Sequence, residues 1–240
     1  MEDRDTVGRR GALRLIGRSL LGAPLLGGPL LGGAVATTVL HPSQLAAAEL
    51  VPREPSWRFL VLRHGTVIGE HRFDFSRRGG DFIVEVAIDI AVDVLGITLF
   101  RFTHRAEEVW RDGWLHALTT ATDDDGQLWR LRSERSEGAL RGTVNDVGFD
   151  VSGFVIPASL WHRDTPFTQV LFGTIDGRTK VVKTEALGEE PLRLGGERRQ
   201  TRHFRLTGEI ERDVWYDADC GIAKVTFPAR DGSLITLERQ

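Results

Sequence analysis

The chain has 240 residues, of which 41% are hydrophobic and 27% charged, and its formal net charge is -3. That length suffices for one large β domain or two small ones. With no basic patch, zinc-knuckle spacing or aromatic RNA-binding signature, nucleic acid is excluded as a partner class.

The first 48 residues read as an address. Gly8-Arg9-Arg10-Gly11-Ala12-Leu13-Arg14 is similar to the twin-arginine export motif, in which Arg9, Arg10 and Leu13 carry the signal. An apolar stretch rich in Leu, Gly and Ala follows. Pro24, Pro29, Arg18 and the repeated glycines make it a poor membrane helix, which needs about 20 predominantly apolar residues. Ala46 and Ala48 frame a small-residue cleavage site before Glu49. The expectation is a twin-arginine-type signal peptide over residues 1–48, handled by the twin-arginine translocase and a signal peptidase. A periplasmic or secreted protein of residues 49–240, with no stable membrane anchor, would result. Its one cysteine, Cys220, excludes an intrachain disulfide, so stability in an oxidising compartment has to come from packing.

From residue 57 onward the chain alternates. Trp57, Phe59 and Val61 begin the series, and His64-Gly65 turns it. Val67, Phe73 and Phe75 then share one face of the next strand, opposite Glu70, Arg72 and Asp74. Over residues 81–92 the apolar phase is Phe82, Val84, Val86, Ile88, Ile90 and Val92; over 99–110 it is Phe100, Phe102, His104, Ala106, Glu108 and Trp110. A reversal at Leu95-Gly96 that sets Asp89 opposite Arg101 and Glu85 opposite Arg105 pairs opposite charges on the wet face. Further hairpins are marked by Asp112-Gly113, Asp125-Gly126, Glu137-Gly138 and Asn145-Asp146. Residues 157–172 lose the alternation and predict one or two short helices that could act as a lid. It resumes from about Lys180 and runs to the C-terminus. About ten or eleven antiparallel strands result, an all-β meander forming one curved, open β-barrel domain over 49–240.

Several residues invite a functional reading. His104 and Glu108 lie in an apolar phase, where burial perturbs titration, but four residues of strand at about 3.3 Å each keep them some 13 Å apart. Trp161, His162 and Asp164 occupy the non-strand segment, where a rigid sheet commonly holds binding groups. Each also has a plain structural reading: a hydrogen-bonded core histidine, a carboxylate at the sheet's rim, a Trp that plugs the barrel. Asp123, Asp124, Asp125 and Gly126 form a hairpin turn and lack the ligand series of a calcium loop. The other histidines, His64, His71, His116 and His203, show no metal-ligand spacing. No hydrolase or phosphate-cradling motif is present, and neither a metal nor a cofactor is expected.

Gly96-Ile97-Thr98 through Glu108-Val109-Trp110-Arg111-Asp112-Gly113 resembles a family of exported bacterial proteins, a domain of unknown function (number 6134). So does Arg205-Leu206-Thr207-Gly208 through Val214-Trp215-Tyr216-Asp217-Ala218-Asp219. The C-terminal phrase also looks like exported families that share the curved sheet of the LolA and LolB periplasmic carriers. The resemblance implies a LolA-like open barrel whose concave side holds an apolar ligand, and it implies no catalytic residues. Phe100, Phe102, Trp110 and Trp129 are the expected cavity wall, with His104, Trp161 and His162 as further candidate contacts for an apolar molecule or lipid. Two alternatives stay open. One is an envelope enzyme with a site at His104, His162 and Asp164, and the other a structural, partner-binding protein with a filled interior.

Overall fold

The computed structural model describes residues 52–240, the side chain of Val94 excepted. The twin-arginine motif, the apolar stretch and the cleavage site at Ala46 and Ala48 lie outside these residues. The described chain forms one antiparallel sheet of 14 strands in the order β8-β7-β6-β5-β4-β3-β2-β1-β14-β13-β12-β11-β10-β9.

The first arm of the meander contains β1 (Ser56–Arg63), β2 (Thr66–Arg78), β3 (Asp81–Val94), β4 (Ile97–Arg111), β5 (Trp114–Asp124), β6 (Gln127–Ser136), β7 (Ala139–Val144) and β8 (Val147–Ser152). The second contains β9 (Val170–Phe172), β10 (Thr179–Leu194), β11 (Glu197–Gly208), β12 (Arg212–Asp217), β13 (Ile222–Pro228) and β14 (Leu234–Arg239). Within each arm every strand pairs with its sequence neighbours, and the two arms join where β1 pairs with β14. The sheet is curved but not closed. Its two edges, β8 and β9, are joined by residues 153–169, which run between them without strand structure apart from an isolated bridge from Pro157 to Phe172.

The 14 strands exceed the expected ten or eleven; β9 arises within the span expected to be helical, and β10 continues through Pro191 to Leu194. Beyond Val181 that strand has β11 on one side only, so proline's missing N–H removes no ladder bond. The expected helical insertion shrinks to one 3₁₀ turn, Thr165–Phe167, and part of its span becomes β9.

The inward face follows the period-two pattern. Phe73, Val84, Leu115, Leu118, Leu131, Leu140, Leu206 and Val214 are all fully buried on it. Hairpins such as Leu95-Gly96 take positive φ at both turn residues (51° and 80°), the geometry whose twist matches that of the flanking strands.

The register between β3 and β4 corrects one expectation. Glu85 faces Glu107, Asp89 faces Thr103, Ala87 faces Arg105 and Ala91 faces Arg101. A two-residue loop at Leu95-Gly96 pairs odd positions with even ones, which would set the apolar phase of one strand against the polar phase of the other. One extra residue is needed to restore the phase. It is supplied on β4, where Asp93 pairs with Thr98 and Val92 with Phe100, leaving Leu99 unpaired. The pairing therefore sits two residues from the expected one, and Arg105 reaches Asp89 diagonally, at 2.7 Å and 2.8 Å to its two oxygens. A second bulge corrects Val67: Val61 pairs with Gly69 but Leu62 with Val67, so Ile68 takes the inward place and Val67 is exposed.

At Gly69 a Cβ would lie 2.0 Å from the Asp89 carbonyl oxygen, whereas at Gly80 it would meet nothing. Gly69→Ala is expected to lower stability by about 1 to 3 kcal/mol through overpacking, and Gly80→Ala to stay within about 0.5 kcal/mol of wild type. Urea denaturation of the two variants checks this, and equal midpoints would refute the close approach.

Candidate functional site

The inward face divides into a packed end and an open end. Along β3, Phe82, Val84 and Val86 are buried, while Ile88, Ile90 and Val92, in the same phase, are only half-buried. The three half-buried residues line a cavity of about 630 Å³, a size suited to small-molecule ligands. Phe100, Phe102 and His104 continue its wall on β4, and Phe59, Phe227 and Leu237 belong to it from other strands. Around its mouth stand the turns at His64-Gly65, Leu95-Gly96 and Asp125-Gly126 and the loop 229–233. The tip of the β3–β4 hairpin extends beyond both neighbours, since β2 pairs only up to Ile90 and β5 only up to Phe102. Leu95, Ile97 and Leu99 on that tip are 98%, 64% and 61% exposed.

The other end is closed by the edge-to-edge connector. Trp161 packs edge-on against Trp110 and Phe82, and the His162 ring stacks on Trp110 at 5.0 Å. Ala158, Ser159 and Leu160 of the same segment form part of the cavity wall, so the expected lid is a floor. It is fastened by one carboxylate. Glu108, fully buried, accepts from Trp110 Nε1 at 2.9 Å and Trp161 Nε1 at 2.8 Å on Oε2, and from Ser159 Oγ at 2.7 Å on Oε1. Burial pushes its pKa up, and the three donors pull against that shift. Glu108 is therefore no rim residue. Tyr216 adds a second fastening by donating to the Leu160 carbonyl at 2.9 Å.

The sequence candidates thus separate. Phe100, Phe102 and His104 line the cavity. Trp110, Trp161 and His162 lie in the packed plug beyond its floor, because the connector fills that end. Trp129 is half-buried against the core and does not reach the cavity. His104 bonds Thr122 Oγ1 at 2.7 Å through Nδ1, whereas His162 sits against Trp110, six residues and about 20 Å further along β4 at about 3.3 Å per residue. Asp164 donates its backbone N–H to His162 Nδ1 at 3.1 Å, and its side chain is exposed. His104, His162 and Asp164 therefore form no common site. Among the described residues no cluster of His, Cys, Asp and Glu could hold a metal ion.

Two further cavity residues carry no sequence motif. His71 shares its phase with Phe73 and Phe75, and Arg212 shares its phase with Val214 and Tyr216, so both were legible as polar residues on an apolar face. His71 pairs with Ile88, which pairs with His104, so the two imidazoles lie in one layer two strands apart. Burial lowers the pKa of His71 to about 3, with His104 and Arg212 adding to the effect; burial also lowers His104 and His162 to about 4.

The family profile described as Domain of unknown function (DUF6134) matches residues 59–240. The chain belongs to this family. Among solved structures it is similar to a beta-barrel-like protein of domain of unknown function DUF1849 from Brucella abortus, with a TM-score of 0.55 and 10% identity over 80% of this chain and 96% of that one. At that identity the likeness concerns the fold alone. No curated protein matches the sequence.

Two outcomes follow for the plug and the histidines. Glu108→Ala strands two indole N–H groups and a hydroxyl, and is expected to cost roughly 3 kcal/mol or more in urea denaturation with a red-shifted tryptophan emission. A near-neutral result would remove Glu108 as the fastening. In the folded state the three buried histidines stay neutral below their ordinary value of 6.5, so from pH 6.5 down to about 4 the unfolded chain binds protons that the fold refuses. Stability is thus full above pH 6.5 and falls as pH falls through that window, by about 1.4 kcal/mol per unit for each histidine. Glu108, with its raised pKa, works in the opposite sense. Denaturation midpoints at pH 7, 5.5 and 4.5 test the balance, and a flat profile would count against neutral buried imidazoles.

Proposed function

We propose that the protein is an exported, periplasmic or secreted, binding protein that holds an apolar or amphipathic molecule, such as a lipid, in its concave cavity. The observation that carries this reading is the open, aliphatic and aromatic space of about 630 Å³ at one end of a barrel whose other end is packed solid. A structural protein would gain stability by filling it, since burial of apolar surface contributes about 25 cal/mol per Å². Leaving Ile88, Ile90, Phe100 and Phe102 half-exposed forgoes that contribution, and a ligand restores it. The apolar tip at Leu95, Ile97 and Leu99 suits the entry of such a molecule from a lipid surface. The twin-arginine-like motif and small-residue cleavage site support export, with the translocase and a signal peptidase as transient partners.

Purifying the protein, extracting it with organic solvent and analysing the extract by mass spectrometry should reveal a co-purified amphiphile. The stripped protein should then take up a fluorescent fatty acid. Ile88→Trp combined with Ile90→Trp, which fills the cavity from the wall, is expected to lower uptake at least tenfold while the fold persists by circular dichroism. A stripped protein that takes up no apolar probe would sink the reading.

A further inference from the structure

The charged groups of the cavity are unevenly matched. Its two carboxylates are both engaged, Asp231 with Arg63 and Asp124 with Arg230. Arg63 also donates to Ser233 Oγ at 2.9 Å. Arg212 opens β12 and faces the same space, and its side chain has neither an ion pair nor a hydrogen bond among the described residues. Its guanidinium lies instead on the face of Phe227, 3.9 Å from the ring centroid. An arginine carries five N–H donors and no acceptor, so placing it in an apolar cavity with no counter-charge is costly unless something else supplies one.

A second observation points to the same place. His71 is only 9% exposed, lines the cavity, and its Nε2 has no hydrogen-bond partner among the described residues. Arg212 and His104 both act on His71 electrostatically, so the guanidinium and the two imidazoles share one region of the cavity. That region is reached from both parts of the meander, since β2 and β4 belong to the first arm and β12 to the second. Burial lowers the Arg212 pKa to about 10, which leaves it cationic at neutral pH beside two neutral imidazoles. A half-buried guanidinium without a carboxylate, beside a buried imidazole nitrogen without a partner, matches an oxyanion, and the aliphatic wall beyond them matches a hydrocarbon tail.

We infer that the ligand is an amphiphile with a compact oxyanion head, a carboxylate or a phosphate monoester, which Arg212 receives with His71 beside it while the tail lies against Ile88, Ile90 and Phe102. This rests on reading the cavity as a ligand site, and it names the class of molecule that site takes. No bond is made or broken: Arg212 supplies the charge and the cavity the apolar surface.

Displacement of a fluorescent fatty acid from the stripped full chain tests it, with dodecanoate, dodecyl phosphate, dodecan-1-ol and inorganic phosphate as competitors. Wild type is expected to bind the two anionic amphiphiles at least tenfold more tightly than the alcohol, and inorganic phosphate is expected not to compete. Arg212→Met, which keeps a flexible apolar stem, should bring the anions down to the level of the alcohol and leave the alcohol unchanged; Arg212→Lys should keep part of the preference. Equal binding of anion and alcohol by wild type would overturn the head-group assignment and leave the cavity reading intact. The same holds for an anion preference that survives in Arg212→Met. Competition by inorganic phosphate alone would mean a free-anion site and would overturn the amphiphile. If no amphiphile binds at all, the function proposed above fails together with this inference. Should Arg212→Met not fold, the wild-type comparison of anion with alcohol decides by itself.

Discussion

A single buried carboxylate decides how the interior is divided. Glu108 takes one hydrogen bond from an indole of its own strand and two from the segment that crosses between the sheet's edges. A carboxylate with no solvent around it is expensive unless donors surround it. Here three donors converge, and each of them is in turn a buried or half-buried group that needs an acceptor. The wall and the plug therefore satisfy one another. The indoles of Trp110 and Trp161 can then meet edge-on at 5.4 Å, and the aromatic side chains of β2 and β3 pack behind them.

The cavity is what remains once that packing is complete. Nothing in β3 or β4 marks where core gives way to wall, since both strands keep their inward apolar phase along most of their length. The connector reaches only as far as Ala158, Ser159 and Leu160, with Thr174 and Ile175 beside them, and the space above has no protein group to fill it. The open sheet makes this possible. Its edges need not meet, because the chain between them spans the seam and enters the barrel. Thr120 Oγ1 ties the β9–β10 loop, just past that crossing, to β5 by donating to the Thr174 carbonyl at 2.8 Å.

Charge is distributed by the same logic. On the outer face, pairs such as Arg105 with Asp89 and Arg141 with Asp150 stand in water, where each contributes little. At the mouth, Arg63 and Arg230 hold the loop 229–233 and the β5–β6 turn by pairing with Asp231 and Asp124. Arg212, further in, has an aromatic face in place of a carboxylate. Among the described residues that line the cavity, the charges at the rim are thus paired, and Arg212 is left inside without a carboxylate.

Much of the architecture was legible in the residues. Period-two alternation named the inward face of β1, β3 and β4, and X-Gly turn pairs located most hairpins, because side-chain direction along a strand is a local property of the backbone. His71 and Arg212 are readable by the same rule as polar residues on an inward face, but no motif around them marks a site. The rest depended on distant partners. The two-residue turn at Leu95-Gly96 and one unpaired residue, Leu99, together set the β3–β4 pairing two residues from the expected one and replaced the expected charge pairs, and a bulge at Ile68 turned Val67 outward. Whether Trp110 lined a cavity or closed one depended on a connector some fifty residues later in the chain, meeting it through Glu108. Periodicity determines which side of a strand faces inward. Only the folded chain decides whether that inside is filled, because filling requires side chains from elsewhere to arrive.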